Sequence, residues 1–457
     1  MKFLYLLFVL FLALSACQPR SRSYDLVIRN ARVFDSRTAT VLPQQTVCIR
    51  DGRIVAVTDA AGDFAARRTL DARGRLLTPG FVDTHIHPTD VFGDYAAAPA
   101  YLPADSLNAY RTKLTREYVP YGVTTAMIMG QPENWLAPIL DWVAKPAPQH
   151  LELYTTGGAL ISKEERPPYV NHRTVGSAQQ ARKQVQDYYR QGLRHIKLYW
   201  RLRGPEFRAA LATADSLGMR SYAHLDQNVV NMDTALALGL RHFEHLLTLD
   251  HGVLAFPRDA EAFTAHMRRH YGEADPGFVA VRLEMFRFIR EQRAAEMDGL
   301  LRRLAARRAT FSTSLHVLAE PLQLAYFAAQ RDTTLTPGRL SPVQLARGQE
   351  NFRLLLRYAK QLADQGVALR LGTDCDKGGQ AVQSEQLLLF EHGFSVAQIL
   401  QISTRNGATA LGLEREIGTV EAGQRANLVL FDHDPFADYR HFRSTRTIIK
   451  DGAVWHP

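Results

Sequence analysis

The sequence is poor in cysteine, with only three in 457 residues. Cys17 belongs to the amino-terminal segment, and nothing in the sequence pairs Cys48 with Cys375. After residue 14 the chain also lacks an apolar run long enough to cross a membrane, which excludes a polytopic membrane protein. Hydrophobic residues make up 46% and charged residues 22%, an ordinary globular composition that excludes disorder and collagen-like repeats.

A block of like charge is also missing. Lysine and arginine total 55 against 46 aspartates and glutamates, which gives a net charge of +9, but the arginines are spread over the whole length. Because nucleic-acid binding needs a clustered basic surface, we expect no nucleic acid among the partners.

The amino terminus predicts export. Lys2 precedes an apolar run at 3–14 that is too short for a bilayer, which needs about 20 residues, but fits the apolar region of a secretory signal. The sequence LSAC at 14–17 resembles the lipobox of bacterial lipoproteins, which implies cleavage before Cys17 and a lipid on that cysteine. With Gln18 following, the resemblance implies an outer-membrane anchor facing the periplasm if the source is Gram-negative. A plain signal peptide at 1–17 is the alternative; residues 18–23 indicate a short tether in either case.

Both ends of the remaining chain predict strands. Residues 24–76 and 414–457 consist of short apolar bursts separated by turn residues such as Asp51-Gly52 and Asp451-Gly452. At about 150 residues per domain the length allows one large domain and a small one. We therefore expect a small β-sandwich domain formed from both termini.

The middle of the chain, 77–413, alternates short β runs with helical patterns. This alternation predicts an α/β protein, and eight βα units predict a (β/α)8 TIM-like barrel. An open doubly wound sheet is the alternative, but the glycine-rich phosphate loop that usually follows its first strand is absent. The predicted strands are 80–85, 123–129, 152–156, 195–199, 220–224, 242–245, 310–314 and 368–373.

One segment is too long for a single unit. Residues 251–308 are helical and rich in arginine, where one strand and its helix would need about half that length. An insertion on the active face predicts a lid or a partner surface. Helices that merely cover the barrel are the alternative.

The pair His85 and His87 carries the most specific chemistry. Residues i and i+2 of a strand face the same side, so both imidazoles point into the barrel at the end of the first strand. Two imidazoles at this spacing indicate a metal-binding pair.

Four further candidates lie at or near the ends of other predicted strands. Lys197, His224 and His245 fall on the fourth, fifth and sixth strands, and Asp374 follows the eighth, since a unit takes roughly 30 residues. Burying a lone lysine ammonium costs several kcal/mol, so Lys197 needs a reason to be there.

Four sequence segments resemble the metal-dependent amidohydrolase superfamily over essentially the whole mature chain. Within it the chain is most similar to the imidazolonepropionase-like and Xaa-Pro dipeptidase-like branch. The segments are TPGFVDTHIH at 78–87, GVTT at 122–125, NGATALG at 406–412 and GTVEAGQRANLV at 418–429.

The resemblance implies a set of ligands to divalent metal, with two zinc ions per chain. It also implies that Lys197 is carboxylated and bridges both ions, and that Asp374 moves protons. The implied metal ligands are His85, His87, Lys197, His224, His245 and Asp374.

Function follows as an expectation. The chain is predicted to be a hydrolase of a carbon–nitrogen bond in a small molecule (an amide, a cyclic amide or a dipeptide such as Xaa-Pro), with metal-activated water and Asp374 as general base and acid. The alternatives are a mononuclear imidazolonepropionase-like ring-opening hydrolase and an inactive metal-holding lipoprotein.

Four further residues are less specific candidates. Tyr199, Tyr222 and His316 could reach substrate or serve as scaffold, and Glu385 is expected to be structural.

Overall fold

The computed structural model describes residues 23–60, 62, 64–93, 98–163, 171–226, 229–256, 258–273, 275–327 and 340–456. The predicted signal segment with Cys17, and all of the tether except Ser23, lie outside these residues. Within the described ranges, no helix combines the length and the apolar character that a membrane crossing requires.

Strands from both ends of the chain form one eight-stranded sheet. Its order is β18-β17-β16-β5-β1-β2-β3, with β4 paired to β1. The two ends join where β16 runs antiparallel to β5, with Leu428 opposite Pro79 and Leu430 opposite Leu77. The strands are β1 (Tyr24–Asp35), β2 (Thr40–Arg50), β3 (Arg53–Thr58), β4 (Ala66–Asp71), β5 (Leu76–Pro79), β16 (Leu428–Phe431), β17 (Arg446–Lys450) and β18 (Ala453–Val454).

Two hairpins in this sheet use the same turn chemistry. Asp51 and Gly52 have φ of 50° and 73°, and Asp451 and Gly452 have φ of 47° and 77°. Two consecutive left-handed residues match the twist of a two-residue hairpin, which Asp-Gly adopts readily. The sequence predicted a β-sandwich here; the structure shows that both termini supply strands and that hydrogen bonds join them in a single sheet with its own apolar cluster.

The middle of the chain forms two parallel sheets, β6-β7-β8 and β10-β9-β11-β12-β13-β14-β15. All eight predicted strands are present, with β9 and β10 in addition. The strands are β6 (Phe81–Ile86), β7 (Val123–Ile128), β8 (Glu152–Thr155), β9 (Ala159–Ser162), β10 (His172–Val175), β11 (His195–Leu198), β12 (Arg220–Ala223), β13 (His242–Phe243), β14 (Thr310–Ser312) and β15 (Ala368–Arg370).

Backbone hydrogen bonds connect the two parallel sheets at the first and last strands. The amide of Thr84 donates to the carbonyl of Leu371, and the amide of Asp374 donates to the carbonyl of His85, each at 2.9 Å. This α/β arrangement is consistent with the predicted TIM-like barrel.

Helices separate most of the parallel strands and cover them. The helix α10 begins with a capping box, in which Ser341 accepts from the amide of Gln344 and Pro342 occupies the first turn. The helices are α1 (Leu107–Tyr118), α2 (Leu136–Ala144), α3 (Ala178–Arg190), α4 (Gly204–Ser216), α5 (Met232–Ala237), α6 (Ala260–Tyr271), α7 (Phe278–Gln292), α8 (Ala294–Ala306), α9 (His316–Ala319), α10 (Pro342–Asp364), α11 (Gly378–Glu391), α12 (Val396–Ser403) and α13 (Arg405–Leu411).

The insertion 251–308 forms the helices α6, α7 and α8. Buried ion pairs fix α7 at two points: Arg282 donates to both carboxylate oxygens of Asp250, at 2.8 and 3.0 Å, and Glu284 accepts from Arg347 on α10. The insertion is therefore tied to the loop after β13 on one side and to α10 on the other.

Candidate metal centre

The predicted ligands occupy neighbouring strand ends, as the sequence indicated. His85 lies in β6 and His87 just beyond it, Lys197 lies in β11, and His224 directly follows β12. His245 and Asp374 lie in the loops after β13 and β15. Because parallel strands end on the same side, these residues lie together at the carboxyl-terminal ends of the strands of both sheets.

Imidazole nitrogens converge on the carboxylate of Asp374. Its Oδ1 lies 3.4 Å from Nε2 of His85 and 3.2 Å from Nε2 of His87, and its Oδ2 lies 3.5 Å from Nδ1 of His245. Ligand atoms of His85, His245 and Asp374 all lie within 4.8 Å of one another. A set of imidazole nitrogens and a carboxylate oxygen at this spacing fits a divalent cation such as zinc.

Residues at three neighbouring strand ends have a left-handed backbone conformation. His245, Ser314 and Asp374 have φ of 60°, 47° and 52°. Glu244 points inward, since it contacts His85. Successive residues of a regular strand face opposite sides, so regular strand backbone would turn the imidazole of His245 away from the site. The left-handed conformation at His245 instead turns its ring toward Asp374. Non-glycine residues adopt this conformation at a cost of order 1 kcal/mol, a strain typical of functional sites.

His224 and Lys197 are the remaining predicted ligands. The ring of His224 lies 4.7 Å, centroid to centroid, from that of His245. Nδ1 of His224 and Nζ of Lys197 are buried and have no hydrogen-bond partner among the described residues. Burial lowers the pKa of Lys197 to about 8, although Glu244 and Asp374 partly offset this effect. Buried nitrogens without hydrogen-bond partners, close to the imidazoles of other predicted ligands, fit an ion-binding role better than a packing role.

The protonation pattern suits a metal centre. Burial would raise the pKa of Asp374, but His85, His245 and His87 outweigh it and hold that pKa well below its ordinary value. Burial lowers the pKa of His245 to about 3 and, together with Lys197, lowers the pKa of His85. At neutral pH the carboxylate is therefore ionised while these two imidazoles are neutral, the forms that bind metal.

Sequence reasoning missed the carboxylate behind His85. Glu244 is fully buried, and its Oε2 lies 2.6 Å from Nδ1 of His85. Burial would raise the pKa of Glu244, but Arg370, Lys197 and His85 hold it well below its ordinary value. A glutamate at a strand end next to His245 was the only sequence signal for it.

Sequence reasoning also missed a second group of possible ligands, in the insertion and beside it. His266 and His270 on α6 lie near Glu284 on α7. Both oxygens of Glu284 already accept from Arg347, and Asn351 donates to its Oε2. This group is an ion-pair cluster whose carboxylate is fully used.

The less specific candidates have different surroundings. Tyr222 donates its hydroxyl to the carbonyl of Ala410, a scaffold contact. The ring of Tyr199 lies 5.3 Å from that of His224, centroid to centroid, which places Tyr199 next to the cluster. Glu385 accepts from the backbone amides of Leu315 and His316, at 2.6 and 3.2 Å, so it orders the loop that follows β14.

Comparison with known proteins gives local sequence matches and a shared fold. Residues 327–454 match the model of the Amidohydrolase family. Over 78 residues the chain is 42% identical to the adenine deaminase of Cereibacter sphaeroides strain KD131, a stretch that covers 16% of this chain and 13% of that protein. Over 103 residues it is 34% identical to the imidazolonepropionase of Geobacillus sp. strain WCH70, which covers 21% of this chain and 24% of that protein.

The chain thus spans a quarter or less of the length of these curated relatives, whereas its fold is shared over nearly the full length of solved structures. One of these is a Xaa-Pro dipeptidase with methionine bound in its active site, at a TM-score of 0.65 and 15% identity, over 94% of this chain and 100% of that one. At this identity the likeness shows the fold alone. The chain is therefore similar to the Amidohydrolase family over residues 327–454, and it shares the fold of this dipeptidase over nearly its whole length.

Proposed function

We propose that this protein is a metal-dependent hydrolase that cleaves a carbon–nitrogen bond in a small molecule. The observation that carries the proposal is the convergence of His85, His87 and His245 on Asp374 at the ends of the parallel strands. The family match and the enzymatic relatives named above support the same reaction class.

Each residue has a role in the proposed mechanism. A divalent ion bound here would lower the pKa of water toward about 7 and polarise the scissile carbonyl. The imidazoles of His85, His87, His224 and His245 would hold the ion. Asp374, ionised at neutral pH, would accept the proton of the attacking water at a carboxylate oxygen and deliver it to the leaving nitrogen.

The finer proposal is a centre of two zinc ions bridged by carboxylated Lys197. Its support is the buried Nζ of Lys197, which lacks a hydrogen-bond partner among the described residues. Carboxylation would replace a costly lone ammonium with an anion between two cations. A closed (β/α)8 barrel around the centre belongs to this proposal. So does anchoring of the exported protein through a lipid on Cys17 to a bacterial membrane, which would be the outer membrane if the source is Gram-negative.

For the substrate we propose an amide, a cyclic amide or a dipeptide such as Xaa-Pro. A second candidate, mononuclear ring opening or deamination of a nitrogen heterocycle, is favoured by one specific observation. The two relatives with the local sequence matches described above are named adenine deaminase and imidazolonepropionase. The number of ions per chain separates the two candidates.

The test is a substrate screen with protein lacking residues 1–17, stripped of metal and then reconstituted with zinc. The library holds N-acyl amino acids, Xaa-Pro dipeptides, cyclic amides and purines, and Asp374→Asn is the matched control. We expect turnover that chelator removes, that zinc restores and that Asp374→Asn lowers by at least a hundredfold. Turnover that survives both chelation and Asp374→Asn would contradict the proposal.

A further inference from the structure

Glu244 is the centre of a buried network beneath the candidate metal centre. Its Oε2 lies 2.6 Å from Nδ1 of His85 and accepts from the hydroxyl of Ser312 at 2.7 Å. Its Oε1 accepts from Nη2 of Arg370 at 2.6 Å. Both oxygens are therefore engaged by residues beneath the centre.

Arg370 is itself fully buried, and its guanidinium donates hydrogen bonds to residues of several strands. Its Nη1 donates to the hydroxyl of Thr84 on β6 at 2.6 Å, and its Nη2 also donates to the carbonyl of Phe243 on β13 at 3.1 Å. Nε donates to the hydroxyl of Thr310 on β14 at 3.3 Å. The guanidinium thus joins the strands that carry His85, His245 and Asp374, and it holds the carboxylate of Glu244 in one place.

This arrangement determines which nitrogen of His85 faces the centre. A carboxylate paired with a buried guanidinium is ionised and can only accept a hydrogen bond, so Nδ1 of His85 carries the proton. The lone pair is then on Nε2, the nitrogen that lies 3.4 Å from Oδ1 of Asp374. A carboxylate behind a metal-binding histidine orients the ring and increases its basicity.

We propose that Glu244, held by Arg370, is a positioning residue that presets His85 for metal binding. This inference rests on the proposed function, because it assumes that a divalent ion binds at His85. Through Ser312 the same carboxylate also reaches the loop after β13, since the hydroxyl of Ser312 accepts from the amide of His245 at 2.8 Å. One buried ion pair thus orders two of the candidate ligands.

The chain supplies a matched control for a merely structural role. Glu284 is also fully buried, and it also contacts a histidine, His266 at 2.7 Å, and an arginine, Arg347 at 3.0 Å. None of these contacts reaches a predicted ligand of the centre. Glu284→Gln therefore removes the same chemistry from the insertion while leaving the centre intact.

The experiment measures zinc affinity of metal-free protein by competition with a chromophoric chelator, for wild type, Glu244→Gln and Glu284→Gln. Melting temperature and near-UV circular dichroism report folding. We expect both variants to melt at lower temperature, but only Glu244→Gln to bind zinc more weakly, by about 10–100-fold. The double variant E244Q/R370M also removes the buried cation that has lost its carboxylate partner, and it should keep the weakened affinity.

Two results would overturn the inference. One is a zinc affinity of folded Glu244→Gln, or of the double variant if the single one fails to fold, within twofold of wild type. The other is an equal loss of affinity in Glu284→Gln. If wild-type protein binds no zinc, the proposed function fails, and this inference fails with it. If wild-type protein binds zinc and either result above is found, only this inference fails.

Discussion

Replacing Lys197 with methionine should stabilise the metal-free protein. Burial lowers the pKa of Lys197 from 10.5 to about 8, so the folded state disfavours the ammonium by about 3 kcal/mol. Because the pKa is lowered on folding, this penalty is complete below pH 8 and disappears as the pH rises from 8 to 10.5. Methionine keeps the apolar stem and removes the charge. We therefore expect the free energy of unfolding at pH 7 to rise by up to about 3 kcal/mol, measured by urea denaturation after removal of metal.

Lys450 is the control for this prediction. It is fully buried like Lys197, but its Nζ donates to Asp451 at 3.0 Å and lies 3.9 Å from Glu152. Lys450→Met removes a paired ammonium, so it should lower the free energy of unfolding by about 1–3 kcal/mol. Opposite signs for the two buried lysines would identify the cause as the lack of a hydrogen-bond partner for Nζ of Lys197 in the described part of the chain.

With metal and bicarbonate present, Lys197→Met should instead be less stable than the wild type. Lys197→Met should bind fewer ions, falling from about two per chain toward one or none, and lose the stabilisation that zinc gives the wild type. Lys197→Glu, which keeps two oxygens at a similar place, should retain more metal than Lys197→Met. The reasoning is refuted if Lys197→Met destabilises the metal-free protein. The binuclear proposal is refuted if wild type binds a single ion that Lys197→Met retains.

Two further changes test other parts of the molecule. Cys17→Ser should release the full-length protein from membranes after a high-salt wash, because lipid on that cysteine would be its anchor; continued sedimentation with membranes would contradict the lipoprotein proposal. Glu284→Gln should lower the free energy of unfolding at pH 7 by about 3 kcal/mol, since hydrogen bonds from His266 and Arg347 outweigh burial and hold the pKa of Glu284 at about 2 instead of 4.5. Its folded pKa is depressed, so this difference should be complete above pH 4.5 and shrink as the pH falls toward 2. A difference that is constant from pH 7 to pH 3 in urea denaturation would refute that assignment.

The strand ends could be predicted from sequence because their signals are local. A short apolar run followed by a histidine, as at His85 and His224, gives both the strand and the side of the sheet that its end faces. For the same reason the eight predicted strands lie within a few residues of those observed. The strands β13 and β15 are shorter than predicted, and His245 and Asp374 beyond them adopt left-handed backbone, which strand alternation does not indicate.

What escaped prediction depends on contacts between distant segments. Glu244 and Arg370 are separated by more than a hundred residues, and their pairing follows only from the register of β13, β14 and β15. An arginine in a strand predicts exposure by composition alone, yet Arg370 is fully buried because four acceptors surround it. The strand β9 was missed because its apolar run at 159–161 is short and closely follows the predicted strand 152–156, and β10 carries no apolar run.

The most direct test of the metal centre is anomalous X-ray scattering at the zinc edge from crystals of zinc-loaded protein. We expect one or two peaks among His85, His87, His224, His245 and Asp374, with a second peak accompanied by density for a carboxylated Lys197. No peak among these residues, or a peak only at His266, His270 and Glu284, would contradict the proposal.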